Sequence, residues 1–276
     1  MSVPARREWV RRAHRRGLSL ERGCRLFSVA RSALDYKPVR PSQNAKLLAW
    51  LQRISMKYPD WGYRLAHGHI RECGWQVNRK RVHRLWKQAK LQQPTRPPRR
   101  KMVTGERLTP QARFRNHVWC YDFVHDADTS SRAIRCLTIK DEATALALAI
   151  EPGYGFNSRD VRNVLERLFE RYGVPAYIRS DRGGEFIANH LRAWLTAKRI
   201  QLVYSDPGKP WHNGSSESFN GTFRRGCLNR YEFHTLAEAK VFIEEWRQIY
   251  NEIRPHSRLG YRPPASAYFL EREQAA

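Results

Sequence analysis

The sequence predicts two unlike regions: an all-α, strongly basic N-terminal part, then an α/β domain whose mixed sheet is flanked by helices. Three observations carry this. Up to about residue 90, apolar residues recur at helical spacing, whereas from residue 112 short β-branched and aromatic runs alternate with amphipathic stretches. The charge changes between the same two regions. Residues 1–110 hold 27 Lys+Arg against 6 Asp+Glu, a net of +21, and residues 111–276 hold 24 against 20, a net of +4. Between the regions, QPTRPPRRK (93–101) has too many prolines for a helix and reads as a solvated basic linker.

The expected organisation is a basic helical segment over 1–43, a helix-turn-helix-like DNA-binding domain over 44–92, a linker over 93–111, an α/β core over 112–252 and a tail over 253–276. Residues 5–35 read as helical, punctuated by Gly17 and Gly23. Next, AKLLAWLQRISMKYP places Leu47, Leu48, Leu51, Ile54 and Met56 at helical spacing until Pro59, Asp60 and Gly62 stop it. A second helix spans Tyr63–Cys73 and ends at Gly74. A third spans Asn78–Ala89, with Lys80, Arg81, Arg84 and Lys87 around Val82, Leu85 and Trp86. Short helices ending in a basic one fit a helix-turn-helix, and Arg79, Lys80, Arg81, Arg84 and Lys87 are its expected DNA contacts. A small bundle with a charged exterior is the competing reading. The clustered charge favours DNA.

The second region begins with three apolar runs, His117–Val124, Arg135–Ile139 and Ala145–Ile150, which read as a meander. Ser158–Tyr172 is an amphipathic helix with Ser158 as expected N-cap and Gly173 as C-cap. A strand at Ala176–Arg179, a helix at Ile187–Lys198, a strand at Ile200–Tyr204 and helices at Ser215–Arg225 and Leu236–Asn251 complete it. This is the element order of an RNase H-like core.

Composition narrows the function classes. The chain is 41% hydrophobic, enough for a sizeable core, and has no apolar run near the roughly 18 residues of a membrane span. Its basic start lacks the apolar stretch of a secretory signal. Cys24, Cys73, Cys120, Cys136 and Cys227 show neither metal-ligand spacing nor a disulfide framework, which fits a reducing cytoplasm.

Three carboxylates stand out. Asp122 lies mid-run in HVWCYDFV, where a charge is costly without a partner such as a metal. Asp181 follows the strand AYIRS and opens the Gly183-Gly184 turn. Glu217 stands near the start of a helix, with 35 residues between it and Asp181. Taken singly, Asp181 reads as a turn residue and Glu217 as a solvated helix residue. Asp126, Asp128 and Asp141 are rivals placed in turn-like segments. Together, Asp122, Asp181 and Glu217 are what phosphoryl transfer needs, because three oxygen donors at one sheet edge hold two hard cations. Arg224, two helical turns after Glu217, is expected to reach a phosphate nearby.

VWCYDFVHD, YGVPAYIRSDRGGEFI, PGKPWHNGSSESFNGTFR and YNEIRPHSRLGYRPPA together resemble the DDE transposases of bacterial insertion sequences, in the second-frame (OrfB-type) product of a frameshifting family. The resemblance implies an RNase H-like integrase catalytic core and a metal site of Asp122, Asp181 and Glu217. It implies two Mg²⁺ ions, with Mn²⁺ as a substitute, and DNA contacts that include Lys209. The implied reaction is 3′-end cleavage and strand transfer at terminal inverted repeats. Implied partners are element-end and target DNA, the first-frame (OrfA-type) product and further copies of the chain. The implied location is a bacterial cytoplasm, on the nucleoid, with no membrane association. A non-catalytic DNA-binding regulator or degenerate copy, or an RNase H-type nuclease that never joins ends, stays open as an alternative.

Overall fold

The computed structural model describes residues 1–35, 41–94, 110–181, 183–205 and 214–274, in two units, Met1–Trp50 and Leu51–Ala276. No described helix is long and apolar enough to cross a membrane.

In the first unit, α1 (Val3–Arg15) starts where the Ser2 hydroxyl accepts from the Ala5 N–H, and α2 (Leu20–Leu26) starts at Ser19 in the same way. A 3₁₀ turn covers Arg31–Ala33. The expected run over 5–35 is therefore two helices and a turn, because Gly17 takes φ +95° and Ser19 restarts the helix. Val10, Cys24, Val29 and Leu34 form a small core. The helix α3 (Pro41–Lys57) leads into the second unit.

There, α4 (Tyr63–Glu72) and α5 (Arg79–Gln88) follow as the sequence predicts. Gly74 leaves α4 at φ +86°, and the Asn78 side chain caps α5 by accepting from the Lys80 N–H at 2.8 Å. Val82, Leu85 and Trp86 are buried, while Arg79, Lys80, Arg84 and Lys87 are exposed. Arg81 is half-buried.

The sheet has five strands, β1 (Val118–Ala127), β2 (Ala133–Asp141), β3 (Ala147–Gly153), β4 (Tyr177–Ser180) and β5 (Gln201–Tyr204), in the order β3-β2-β1-β4-β5. The first three pair antiparallel, and β4 and β5 run parallel to β1. The helices are α6 (Ser158–Tyr172), α7 (Gly184–Ile187), α8 (Asn189–Ala197), α9 (Gly214–Gly226), α10 (Leu236–Glu252) and α11 (Pro264–Gln274).

Strand alternation sorts the two faces. Trp119, Tyr121, Leu137 and Ile139 pack with Val161, Leu165 and Phe169 of α6 and Leu191 and Leu195 of α8. Val124, Ile134 and Cys136 pack oppositely with Phe219 and Phe223 of α9 and Ile243, Trp246 and Tyr250 of α10. Phe223 is fully buried, so truncation to Ala would cost roughly 3–5 kcal/mol. Asn251 fastens α10 to β3 through both backbone groups of Ala147, each at 2.9 Å.

Several details differ from the sequence reading. The N-cap of α6 is Asn157, in a reciprocal capping box with Asp160, so Ser158 is the first helical residue. The expected 187–198 helix is two, α7 and α8, parted at Ala188. Asp126 lies within β1, paired with Ile134, because the hairpin extends the strand beyond its apolar run. Asp141 ends β2 fully buried and accepts from the Asn116 N–H and from the N–H and hydroxyl of Thr144, closing the β2–β3 turn. Asp128 does close the β1–β2 turn, accepting from the Ser130 and Arg132 N–H groups. The segment read as a tail contains α11, whose Tyr268 is fully buried and donates its hydroxyl to Asn116 at 3.1 Å.

Candidate active site around β1, β4 and α9

Parallel pairing of β1 and β4 matches Val118 with Tyr177, Trp119 with Ile178 and Cys120 with Arg179. That pairing ends at Cys120–Arg179, and Asp122 and Asp181 each lie two residues beyond it, Asp122 within β1 and Asp181 just past the end of β4. Strand alternation puts Asp122 on the face it shares with Val124, which packs with Phe219 and Phe223 of α9. Burial pushes the Tyr121 phenol up, and the charge of Asp181 adds to the push.

Asp122 is half-buried. Its Oδ1 accepts from the Phe123 N–H at 2.8 Å, and its Oδ2 accepts from the Asn220 amide at 2.9 Å. Thr138, opposite Asp122 in β2, sets its hydroxyl 3.1 Å from the Asp122 carbonyl oxygen and 3.2 Å from Asn220 Oδ1. Asn220 thus ties α9 to the centre of β1. Glu217 is three residues earlier on α9 and exposed, one turn along the same side of the helix.

Asp181 is exposed, and its Oδ1 accepts from the Gly183 N–H at 3.0 Å, a local turn that Asp forms readily. The turn is anchored from below. Phe186 is buried and stacks on Phe123 with ring centroids 5.1 Å apart. Arg135 of β2 donates to Glu185 at 2.6 Å, and this bond holds the Glu185 carboxyl below the usual range.

Lys140, the β2 partner of Cys120, supports the start of α9. Its buried ammonium donates to the carbonyl and the hydroxyl of Ser215, both at 2.9 Å, and burial pushes its pKa down. Arg224 is exposed, and its guanidinium donates to the His125 carbonyl of β1 at 2.5 Å. Lys209 lies outside the described residues. Among the described residues, no three His, Cys, Asp or Glu side chains are gathered closely enough to hold an ion. Asp122 and Asp181 lie equally far beyond the last β1–β4 pair, and Glu217 stands one turn from the residue that grips Asp122.

Sequence reasoning missed Asn220, Thr138, Lys140 and the Arg135–Glu185 pair. One signal was available: Lys140 is a charge inside the apolar strand LTIK, the same kind of anomaly that singled out Asp122. Asn220 carries no such mark.

Two family models described as "Integrase core domain" match residues 113–210 and 198–264, and one described as "HTH-like domain" matches residues 42–100. The chain is 37% identical over 248 residues to an uncharacterized 31.7 kDa protein of insertion element IS407 from Burkholderia multivorans, covering 90% of each. It is 27% identical over 247 residues to the transposase InsD of insertion element IS2A/D/F/H/I/K from Escherichia coli, covering 84% of this chain and 81% of the relative. A chain of the simian T-cell lymphotropic virus intasome superposes with a TM-score of 0.51 at 13% identity, over 79% of this chain and 73% of that one. That likeness speaks to the fold alone.

Proposed function

The chain belongs to the insertion-element transposases that carry an integrase core, and on that premise we propose that Asp122, Asp181 and Glu217 cut the 3′ ends of an element and join them to target DNA. What supports this is that Asp122 and Asp181 stand the same two residues past the last β1–β4 pair, with Asn220 linking Asp122 to the helix of Glu217. The donor set fits Mg²⁺, with Mn²⁺ as a substitute: all three are hard oxygen donors, and two of them are exposed, Asp181 just past β4 and Glu217 on α9. When bound, two such ions supply Lewis-acid activation of the attacking oxygen and neutralise charge on the leaving one.

The chain's own groups do the rest. Asn220 orients the Asp122 carboxylate, and the Arg135–Glu185 bond with the Phe186–Phe123 stack sets the turn bearing Asp181. Lys140 fixes the first turn of α9, from which Glu217 projects. In the first step the oxygen of water bonds to phosphorus, and the 3′ oxygen leaves with the electron pair and ends as a hydroxyl. That hydroxyl then bonds to a target phosphorus and displaces another 3′ oxygen. No group of the protein is covalently linked in either step.

Arg79, Lys80, Arg84 and Lys87 on the exposed face of α5 are proposed to hold the terminal inverted repeats, with Arg81 and Lys209 as further contacts. Arg224 is exposed and donates one of its N–H groups to the His125 carbonyl, so it ties α9 to β1 and is proposed to reach a phosphate with the others. The first-frame product and further copies of the chain complete an assembly on nucleoid DNA.

A labelled duplex carrying the element's terminal repeat, incubated with the chain, its first-frame partner and Mg²⁺, tests this. The expected result is joined product that disappears with EDTA and in Asp122→Asn, Asp181→Asn and Glu217→Gln. Hydrolysis with no joined product would instead make the protein a nuclease. Binding without cleavage would make it a regulator.

A further inference from the structure

The segment RPHSRLGYRPP (254–264) is pinned on two sides. Towards the sheet, Arg258 donates to the carbonyls of Glu142 at 2.5 Å and Ala143 at 3.0 Å, in the turn between β2 and β3. His256 bridges to Arg262 across a small loop and sets its ring edge-on to Tyr250 of α10, with centroids 4.7 Å apart.

Towards the helix-turn-helix, Arg254 donates to Asp60 at 2.8 Å, and each side chain is only 13% exposed. Asp60 sits in the turn between α3 and α4, beside the buried Trp61, which stacks on Tyr58 at 4.1 Å. One helix face further on, a methyl group at Gly68 of α4 would lie 2.9 Å from the Cβ atoms of both Pro255 and Tyr261. Neither atom is the end of a flexible side chain, so the backbone of α4 rests directly on this segment. A cavity of about 130 Å³ lined by Tyr58, Trp61, Gly226, Trp246, Tyr250 and Arg254 marks the rest of the seam.

We propose that residues 254–262 are the socket that docks the helix-turn-helix on the integrase core, and that this docking sets where the DNA is cut relative to the sequence that α5 reads. This rests on the transposase reading above. The sequence reader is α5, which packs on α4, and α4 is seated on the segment through Gly68, with the Asp60–Arg254 pair alongside. A pair buried this far is costly to break, since either partner alone would be an uncompensated buried charge. One nucleotide spans about 3.4 Å along a strand, so a slip of a few ångströms at the seam moves the cut by a whole position.

Gly68→Ala is the sharpest probe. Alanine is the better helix former, so α4 itself gains while its seat is lost. The labelled terminal-repeat duplex, the full chain, its first-frame partner and Mg²⁺ are used, with cut positions mapped to single nucleotides and hydrogen exchange followed on α4. Wild type should cut at one position. Gly68→Ala should still bind the repeat, exchange faster in α4, scatter its cuts over neighbouring nucleotides and yield about 100-fold less at the native position. Asp60→Arg and Arg254→Asp should each scatter the cut, and combining them should restore a single position.

A folded Gly68→Ala protein that cuts at one position with wild-type yield overturns the proposal. So does loss of yield at an unshifted position, which would mean a merely structural role. Unaltered exchange in α4 overturns the docking itself, even if wild type proves inactive. Wild type that binds but never cuts removes the transposase reading and, with it, the cut-setting role.

Discussion

Asn220 donates its side-chain amide to Asp122 at 2.9 Å, linking the helix of Glu217 to the central strand of the sheet. Together with the Phe123 N–H, this bond orients the carboxylate, and it fixes how α9 sits over β1. Asn220→Ala should therefore lower strand transfer by about 10–100-fold and raise the Mg²⁺ concentration needed for half-maximal rate. Because Asp122 and Thr138 each lose a partner, stability should also fall by about 1–3 kcal/mol. A Mg²⁺ titration of joined product, run beside a melting curve, checks both halves.

Arg135 acts on Asp181 from a distance, through Glu185 and Phe123. The ion pair has side chains about one-quarter exposed, at 24% and 25%, so its loss should cost no more than about 1 kcal/mol of stability. The turn it braces holds Asp181, and Arg135→Met should reduce kcat far more than repeat-binding affinity. Equal losses in binding and rate would contradict that role.

The His256 ring is pushed down to about 3, chiefly by burial, with Arg254, Lys140 and Arg258 adding like charge. In the unfolded chain it takes up a proton near pH 6.5, which the folded protein resists. Stability contributed by neutral His256 is thus present above about 6.5 and lost as the pH falls towards 3. Its contribution to the slope approaches about 1.4 kcal/mol per pH unit. Urea unfolding at steps from pH 7 to 5 should show a steeper loss in wild type than in His256→Asn.

Along α5 the exposed charges should act one by one. Lys80→Ala and Arg84→Ala are each expected to weaken terminal-repeat binding and to flatten the salt dependence of log K by about 0.9. Binding isotherms between 50 and 200 mM salt measure this slope, at concentrations chosen from the known scale of such effects. An unchanged slope would remove that side chain from the phosphate contacts.

The order of strands and helices was legible because each is short and its apolar spacing is clear, as in α6 and the β1–β3 meander. Where sequence reading went astray, the deciding contact was remote. Nothing local marks Asp126 as a strand residue until Ile134 pairs with it. The helix α11 escaped notice because PASAYFLEREQ shows no apolar stripe, and its anchor, Tyr268, is held by Asn116 more than 150 residues away, at a separation of 152. The three carboxylates stood out as a strand anomaly, a strand end and a helix start, and they occupy those places in the fold. Their supports did not stand out, since an Asn one turn after a Glu is ordinary until the sheet is present.

Lys140 has one further consequence, in chemical accessibility. Its amine is sealed under the first turn of α9 by Ser215, while most lysines of the chain face water. An acylating reagent can reach that nitrogen only when the turn lifts away. The rate at which Lys140 is labelled therefore counts the openings of the helix that carries Glu217, and bound DNA that presses α9 home should slow this clock.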